Sequence, residues 1–344
     1  MRVLLAMSGG VDSSVAGAML LDAGHEVVGV TMRLWGGESD TGCCSVADVD
    51  DARRVAQQLG IDHLVFNFSE DFSEHVVAPY VHAHAAGLTP NPCIECNRHL
   101  KFARLSERAT VLGFDAVATG HHARILRRPD GTWALLRGAD PAKDQSYVVH
   151  MLDQRELART MFPVGDLTKA DVRERAIALG LRTATKPDSQ DVCFIPSSGG
   201  RREFLGRRIP LHAAELRDAA GTVLGHVDAV ETVTLGQRRG LQLAGAPARR
   251  YVTDVDVPGR TVTIGREADL LVGEMRVRDL VWTDDPVTGE VLVQTSAHGA
   301  TVSASITDAG VLMWSKPQRR VAPGQSIVLY DSSNIEVLGG GIAA

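Results

Sequence analysis

Hydrophobic and polar positions change period repeatedly through the first half of the chain. Residues 3–7 form an unbroken apolar run, the pattern of a strand buried on both faces, and residues 15–21 repeat apolar side chains at helical spacing. Stretches 26–32, 63–68 and 116–119 read as further strands, and 46–59, 71–86 and 99–112 as helices. This alternation predicts an α/β domain with a mostly parallel sheet wrapped by helices, binding ligands at the carboxyl ends of its strands. Pro129-Asp130-Gly131 is a turn sequence flanked by the segments 123–128 and 132–137, so a hairpin is expected there. Residues 168–179 read as one more helix, closed by Gly180.

Beyond Gly199-Gly200 the text changes to short β-rich runs broken by Gly, Pro and Asp: 222–227, 251–257, 261–264, 275–282, 291–295, 301–306 and 326–330. With 344 residues the chain exceeds one ordinary core. The expected division is an α/β domain over 1–198, a small β-rich module over 199–268 and a C-terminal β-barrel over 269–344.

Composition adds constraints. A formal net charge of -6 argues against indiscriminate nucleic-acid binding but leaves room for a local basic surface. Arginine pairs at 127–128, 201–202, 207–208, 238–239, 249–250 and 319–320 are candidates for one. No apolar run is long enough to cross a bilayer, and Met1-Arg2-Val3 leads straight into a strand, so a cytoplasmic protein with no membrane partner is expected. Five cysteines, at 43, 44, 93, 96 and 193, do not resemble a secreted disulfide framework and suggest catalysis or metal binding. Cys43 and Cys44 receive no role, since adjacent cysteines cannot easily pair.

Between the first strand and the first helix lies Ser8-Gly9-Gly10-Val11-Asp12-Ser13-Ser14. Backbone N–H groups at a helix start favour anions, and two glycines permit positive φ and a close backbone approach, so the loop suits phosphate. It is neither a Walker loop nor GxGxxG. A plain tight turn with Ser13 as helix cap is the competing reading. Asp12 favours nucleotide with Mg²⁺, because a carboxylate beside phosphates needs a divalent cation between them.

Asn91-Pro92-Cys93-Ile94-Glu95-Cys96-Asn97 carries a second chemistry. The prolines are expected to hold the approach extended, with Asn97 or a neighbour capping the helix that carries Lys101-Phe102. Cys96 near that helix start would have its thiolate favoured. A zinc site is disfavoured because no second cysteine pair follows at the usual spacing.

SGGVDSS resembles the PP-loop of ATP pyrophosphatases. Thr89-Pro90-Asn91-Pro92, Ala118-Thr119-Gly120-His121-His122, Lys143-Asp144-Gln145-Ser146-Tyr147, Asp188-Ser189-Gln190-Asp191-Val192-Cys193, Leu235-Gly236-Gln237-Arg238-Arg239 and Pro323-Gly324-Gln325 extend the likeness from end to end, to the tRNA 2-thiouridylase family. The resemblance implies ATP-dependent adenylation of the C2 oxygen of a wobble uridine, followed by sulfur transfer. It implies a persulfide on Cys193 and a partner thiol at Cys96 that ends in a Cys96–Cys193 disulfide. Ala6, Met7, Ser8, Gly9, Gly10, Val11, Asp12, Ser13, Met32 and Gly120 would contact nucleotide. Asn91, Pro92, Cys93, His121, Lys143, Asp144, Gln145 and Gln325 would meet tRNA. Implied partners are tRNAs with glutamate, glutamine and lysine acceptors and a sulfur donor such as a cysteine desulfurase.

Two positions depart from the family pattern. Cys93 stands where the best-known members have aspartate, and with Cys96 and Cys193 it supplies three thiolates for a [4Fe-4S] cluster with one open iron. Ser296-Ala297 stands where an Arg-Tyr barrel contact is usual. A small-molecule ligase keeping the same loop would need neither the paired thiols nor a basic barrel.

Overall fold

The computed structural model describes residues 1–34, 46–188, 192–195, 199–243 and 249–344; Cys43, Cys44, Ser189, Gln190 and Asp191 lie outside them. Five parallel strands form the first sheet, in the order 63–67, 26–33, 2–6, 116–118, 160–161. Chain order reverses between Arg2–Ala6 and Ala116–Ala118, and the crevice at such a reversal is where a doubly wound sheet binds ligands. Apolar cores pack on both faces. Val3 and Leu5 face Val11, Val15, Ala52 and Val172 on one side, and Leu4 faces Val30, Tyr80, Leu100 and Leu105 on the other. Strand residues alternate faces because the pleat has a period of two.

Two helices are longer than their apolar patterns suggest. One runs over 69–85 and the other over 92–111, each with a π-helical turn inside. The second begins at Pro92, not near residue 99. Pro92 takes the first helical position, where its missing N–H costs nothing, and the Asn91 side chain caps by accepting from Cys93 N at 3.1 Å. Asn97 is buried inside the helix instead, donating to Val148 O at 2.7 Å.

A second sheet, in the order 242–243, 223–227, 214–217, 261–265, 251–256, encloses its own core around Leu216, Val252 and Ile264. The third has eight strands, and pairing of Leu271–Trp282 with Glu336–Ala343 closes part of it into a barrel. The hairpin Ala123–Arg127 and Trp133–Arg137 joins this last sheet, through Leu135 opposite Val337. Tyr147 donates to Ser326 O at 2.8 Å, so the α/β region and the barrel share one core.

Candidate active site

Helix Val11–Asp22 starts at Gly10, whose side-chain-free position offers no cap. Ser13 does not cap it either. Its hydroxyl donates back to Gly10 O at 3.2 Å, and Ser14 does the same at 2.8 Å, which leaves the first turn without a side-chain cap. Gly9 has φ +69°, and a Cβ there would lie 2.4 Å from Asp48 O. A Cβ on Gly120 would lie 2.6 Å from Ser13 N. Both glycines therefore press backbone against backbone around a cradle of N–H groups, a fit for the phosphates of a nucleotide. Ala6 and Met7 lead into it from the strand, and Met32 is buried on the adjacent one.

Side chains from outside the loop surround this cradle, and of these Lys169, Arg173 and Lys186 carry no signal in the sequence pattern. Lys169 Nζ lies 2.7 and 2.8 Å from the two Asp12 oxygens, and His122 Nε2 lies 3.1 Å from Oδ1. Burial alone would raise the Asp12 carboxyl, but hydrogen bonds from His122 and Lys169 outweigh it and hold the group below its ordinary value. Asp12 is thus an anion, the form a divalent cation needs. Lys169 also reaches Asp188 at 2.9 Å, which further binds Lys143 at 2.8 Å and Arg173 at 2.9 Å. Burial works against ionised Asp188 as well, yet Lys143 and Lys169 bring it down to about 2. On the other side of the loop, Lys186 Nζ donates to Gly9 O at 2.9 Å while pairing with Asp48 and Asp51 at 2.7 and 2.8 Å.

Among the described cysteines, Cys96 and Cys193 meet at one apolar core. Cys93 is exposed in the first turn of the 92–111 helix and Cys96 is buried about one turn further on. Cys96 belongs to the same apolar core as Met32, Tyr80, Phe194 and Phe204, against which Cys193 packs half-buried. Phe194 makes edge contacts with Phe72 and Tyr80, at ring separations of 5.6 and 5.4 Å. Burial, with the nearby Arg201 charge, brings His84 down to about 4, a neutral imidazole at pH 7. Among the described residues no three Cys, His, Asp or Glu side chains converge to hold a metal ion, so the three thiols do not form a ready-made cluster site as they stand.

Several residues expected to meet tRNA have internal partners. His121 is 8% exposed, bonded to Thr119 at 2.7 Å, and burial holds its pKa well below the ordinary value. Asp144 pairs with Arg137 and accepts from Gly138 N and Ser146 N, both at 3.0 Å. Gln145 accepts from His122 N at 2.9 Å, and Gln325 donates to Thr89 O at 2.5 Å. Of the arginine pairs, Arg128 binds Asp284 and Glu336, Arg202 binds Asp228, Arg207 binds Glu203, Arg319 binds Glu267 and Arg320 binds Asp254.

Comparison with known proteins now adds identity. A family model described as "tRNA methyl transferase HUP domain" matches residues 1–197, a "tRNA methyl transferase PRC-barrel domain" matches 202–266, and an "Aminomethyltransferase beta-barrel domain" matches 272–343. The protein named tRNA-specific 2-thiouridylase MnmA in Mycobacteroides abscessus is 47% identical over 358 residues, covering 99% of each chain. Its namesake in Chloroflexus aurantiacus is 45% identical over 353 residues, covering 99% of this chain and 97% of its own. A solved 4-thiouridine synthetase–RNA complex with bound ATP is a more partial likeness, at 21% identity and TM-score 0.38 over 56% of this chain and 44% of its own. The full-length matches decide the family: the chain belongs to the tRNA-specific 2-thiouridylases.

Proposed function

We propose that this tRNA sulfurtransferase converts the wobble uridine of tRNA to 2-thiouridine, using ATP with Mg²⁺ and sulfur carried as a persulfide on Cys193. The oxygen on C2 is a poor leaving group until it becomes an adenylate, whose AMP departs readily. Ser8 to Ser13, with Ala6, Met7, Met32 and Gly120, hold the nucleotide. Asp12 would ligate Mg²⁺, which neutralises phosphate charge. The Cys193 persulfide then attacks C2 and displaces AMP, and the Cys96 thiolate attacks the Cys193 sulfur of that linkage, releasing the thiouridine and leaving a Cys96–Cys193 disulfide. The observation supporting this reading is the packing of Cys193 against the core that holds Cys96 and Met32, to which Ala6, at the end of the strand leading into the glycine loop, also packs.

Asn91, Pro92 and Cys93 border the target base in this reading. His121, Lys143, Asp144, Gln145 and Gln325 act on tRNA largely by supporting the walls around it, given their internal bonds. The division 1–198, 199–268 and 269–344 assigns catalysis to the first part and tRNA grip to the last. tRNAs of the glutamate, glutamine and lysine set, a cysteine desulfurase or relay protein as donor, and a cytoplasmic setting complete the reading.

The deciding experiment is anaerobic purification with absorbance and Mössbauer spectra, followed by thiolation assays with a persulfide donor. Iron-free protein with full activity supports the persulfide route. Activity that requires iron would replace it with a [4Fe-4S] cluster on Cys93, Cys96 and Cys193, and these would have to converge further.

A further inference from the structure

Lys169 has an unusual pair of partners: one ammonium bridges Asp12, in the nucleotide cradle, and Asp188, five positions before Cys193. Its backbone is anchored. Thr168 and Asp171 form a capping box around it, Lys169 N donates to Asp140 at 3.0 Å, and the helix Lys169–Ala178 buries Val172 and Ala176 against Val11 and Val15. Only the side chain is at liberty to change partner, and it is 12% exposed, so its charge is costly to leave uncompensated.

The local charges already balance. Asp12, Asp140 and Asp188 face Lys143, Lys169 and Arg173, with His122 also on Asp12. A magnesium-bound triphosphate adds a dication at Asp12 and more anionic charge than it brings cation. Mg²⁺ held by Asp12 would compete with the ammonium for that carboxylate, and a phosphate chain in the cradle would offer the ammonium another anion. Asp188 shares that same ammonium, so its own hydrogen bonding changes when the nucleotide arrives.

We infer that Lys169 is a nucleotide-binding residue that exchanges Asp12 for the phosphate chain, and that Asp188 is a positioning residue that passes the exchange to Cys193. Thiol chemistry is thereby tied to nucleotide occupancy. This rests on the assignment of ATP to the glycine cradle.

The test uses the full-length protein, a nonhydrolysable ATP analogue with Mg²⁺, and alkylation of Cys193 followed by peptide mass spectrometry, every variant being compared at saturating analogue. Wild-type Cys193 should change its alkylation rate by about fivefold or more when the analogue binds, the lower end of typical site-to-site coupling. Asp188→Asn should bind the analogue yet lose that change. Lys169→Met should bind it at least about tenfold more weakly, as expected for loss of one charge-assisted contact, with Lys169→Arg restoring part of the affinity. A wild-type protein that binds the analogue with unchanged Cys193 reactivity overturns the coupling alone, as does an Asp188→Asn protein that responds like wild type. Lys169→Met binding like wild type overturns the role of Lys169. No analogue binding by the wild type would remove the ATP assignment itself.

Discussion

The glycine cradle around Asp12 and the region around Cys96 and Cys193 are made of opposite materials. Around Gly9 and Asp12, position is fixed by short ionic contacts between Lys169, Lys186, Asp12, Asp48 and Asp188. Around Cys96 and Cys193 it is fixed by apolar packing of Phe72, Tyr80, Phe194 and Phe204. Ionic contacts hold a charged ligand in one register and can be exchanged for it. Apolar packing excludes water from a reactive sulfur and shifts its chemistry by desolvation. The two regions should therefore fail differently when altered.

The largest expected effect separates them outright. Cys193→Ser should lower thiolation by at least about 10³-fold, the loss of a nucleophile, while tRNA-dependent release of pyrophosphate continues. Thiolation near the wild-type rate, read by mass spectrometry of wobble nucleosides, would sink the sulfur assignment. Asp12→Asn attacks the other region. It should slow pyrophosphate release by about 10²-fold or more, because a metal held at that carboxylate would supply several kcal/mol of charge stabilisation. Unchanged release would take Asp12 out of the mechanism. Gly120→Ala comes next: its Cβ would lie 2.6 Å from Ser13 N. Overpacking of this kind costs about 1–3 kcal/mol, and the loss should appear both in thermal stability and in ATP affinity.

These two regions were not equally legible in the sequence. Gly9-Gly10 and Gly120 are local signals, because a phosphate turn needs its glycines within a few residues of the strand end. The ionic partners are not local: Lys186 meets Gly9 from 177 positions away and Lys169 meets Asp12 from 157. Isolated lysines have no period and read as solvated surface. The helix over 92–111 is legible only from its middle, since a proline ahead of an apolar pattern reads as a helix breaker whereas Pro92 is a helix starter. Strand Glu336–Ala343 gives no strand signal because Gly339-Gly340-Gly341 interrupts it. A Cβ on Gly340 would lie 2.4 Å from both His150 and Ile327 O, so the glycines are there to admit a strand into a crowded position. Strand Val311–Arg319 was hidden by Pro317 and its charges. The helix Gly200–Gly206, which brings Phe204 to the sulfur core, is too short for a period to emerge.

Acid provides a gentler probe of the ionic side. The folded Asp188 carboxyl lies near 2 against an ordinary 3.8. A depressed carboxyl contributes stability above its unfolded value and loses it as pH falls toward the folded one. The stability gap between wild type and Asp188→Asn should thus be widest above about pH 5 and close as pH approaches about 2. The gap should be small throughout, because Asp188 is 36% exposed and water screens its pairs. A gap that widens in acid, measured by urea midpoints, would contradict the depressed value.

The smallest effect is expected where the barrel meets the cysteine loop. Gln325 donates to Thr89 O at 2.5 Å and Thr89 N donates to Pro323 O at 2.8 Å, so the barrel holds the chain two residues before Asn91. Gln325→Ala removes one hydrogen bond and leaves Thr89 O to water, a loss of about 1 kcal/mol. If Gln325 serves tRNA by fixing that loop, affinity for tRNA should fall by a few-fold together with the melting temperature. A loss of affinity at unchanged stability would mean that the amide touches RNA directly. Stability lost with affinity intact would make the contact purely structural, and the wall around the target base would then have to be built without the barrel.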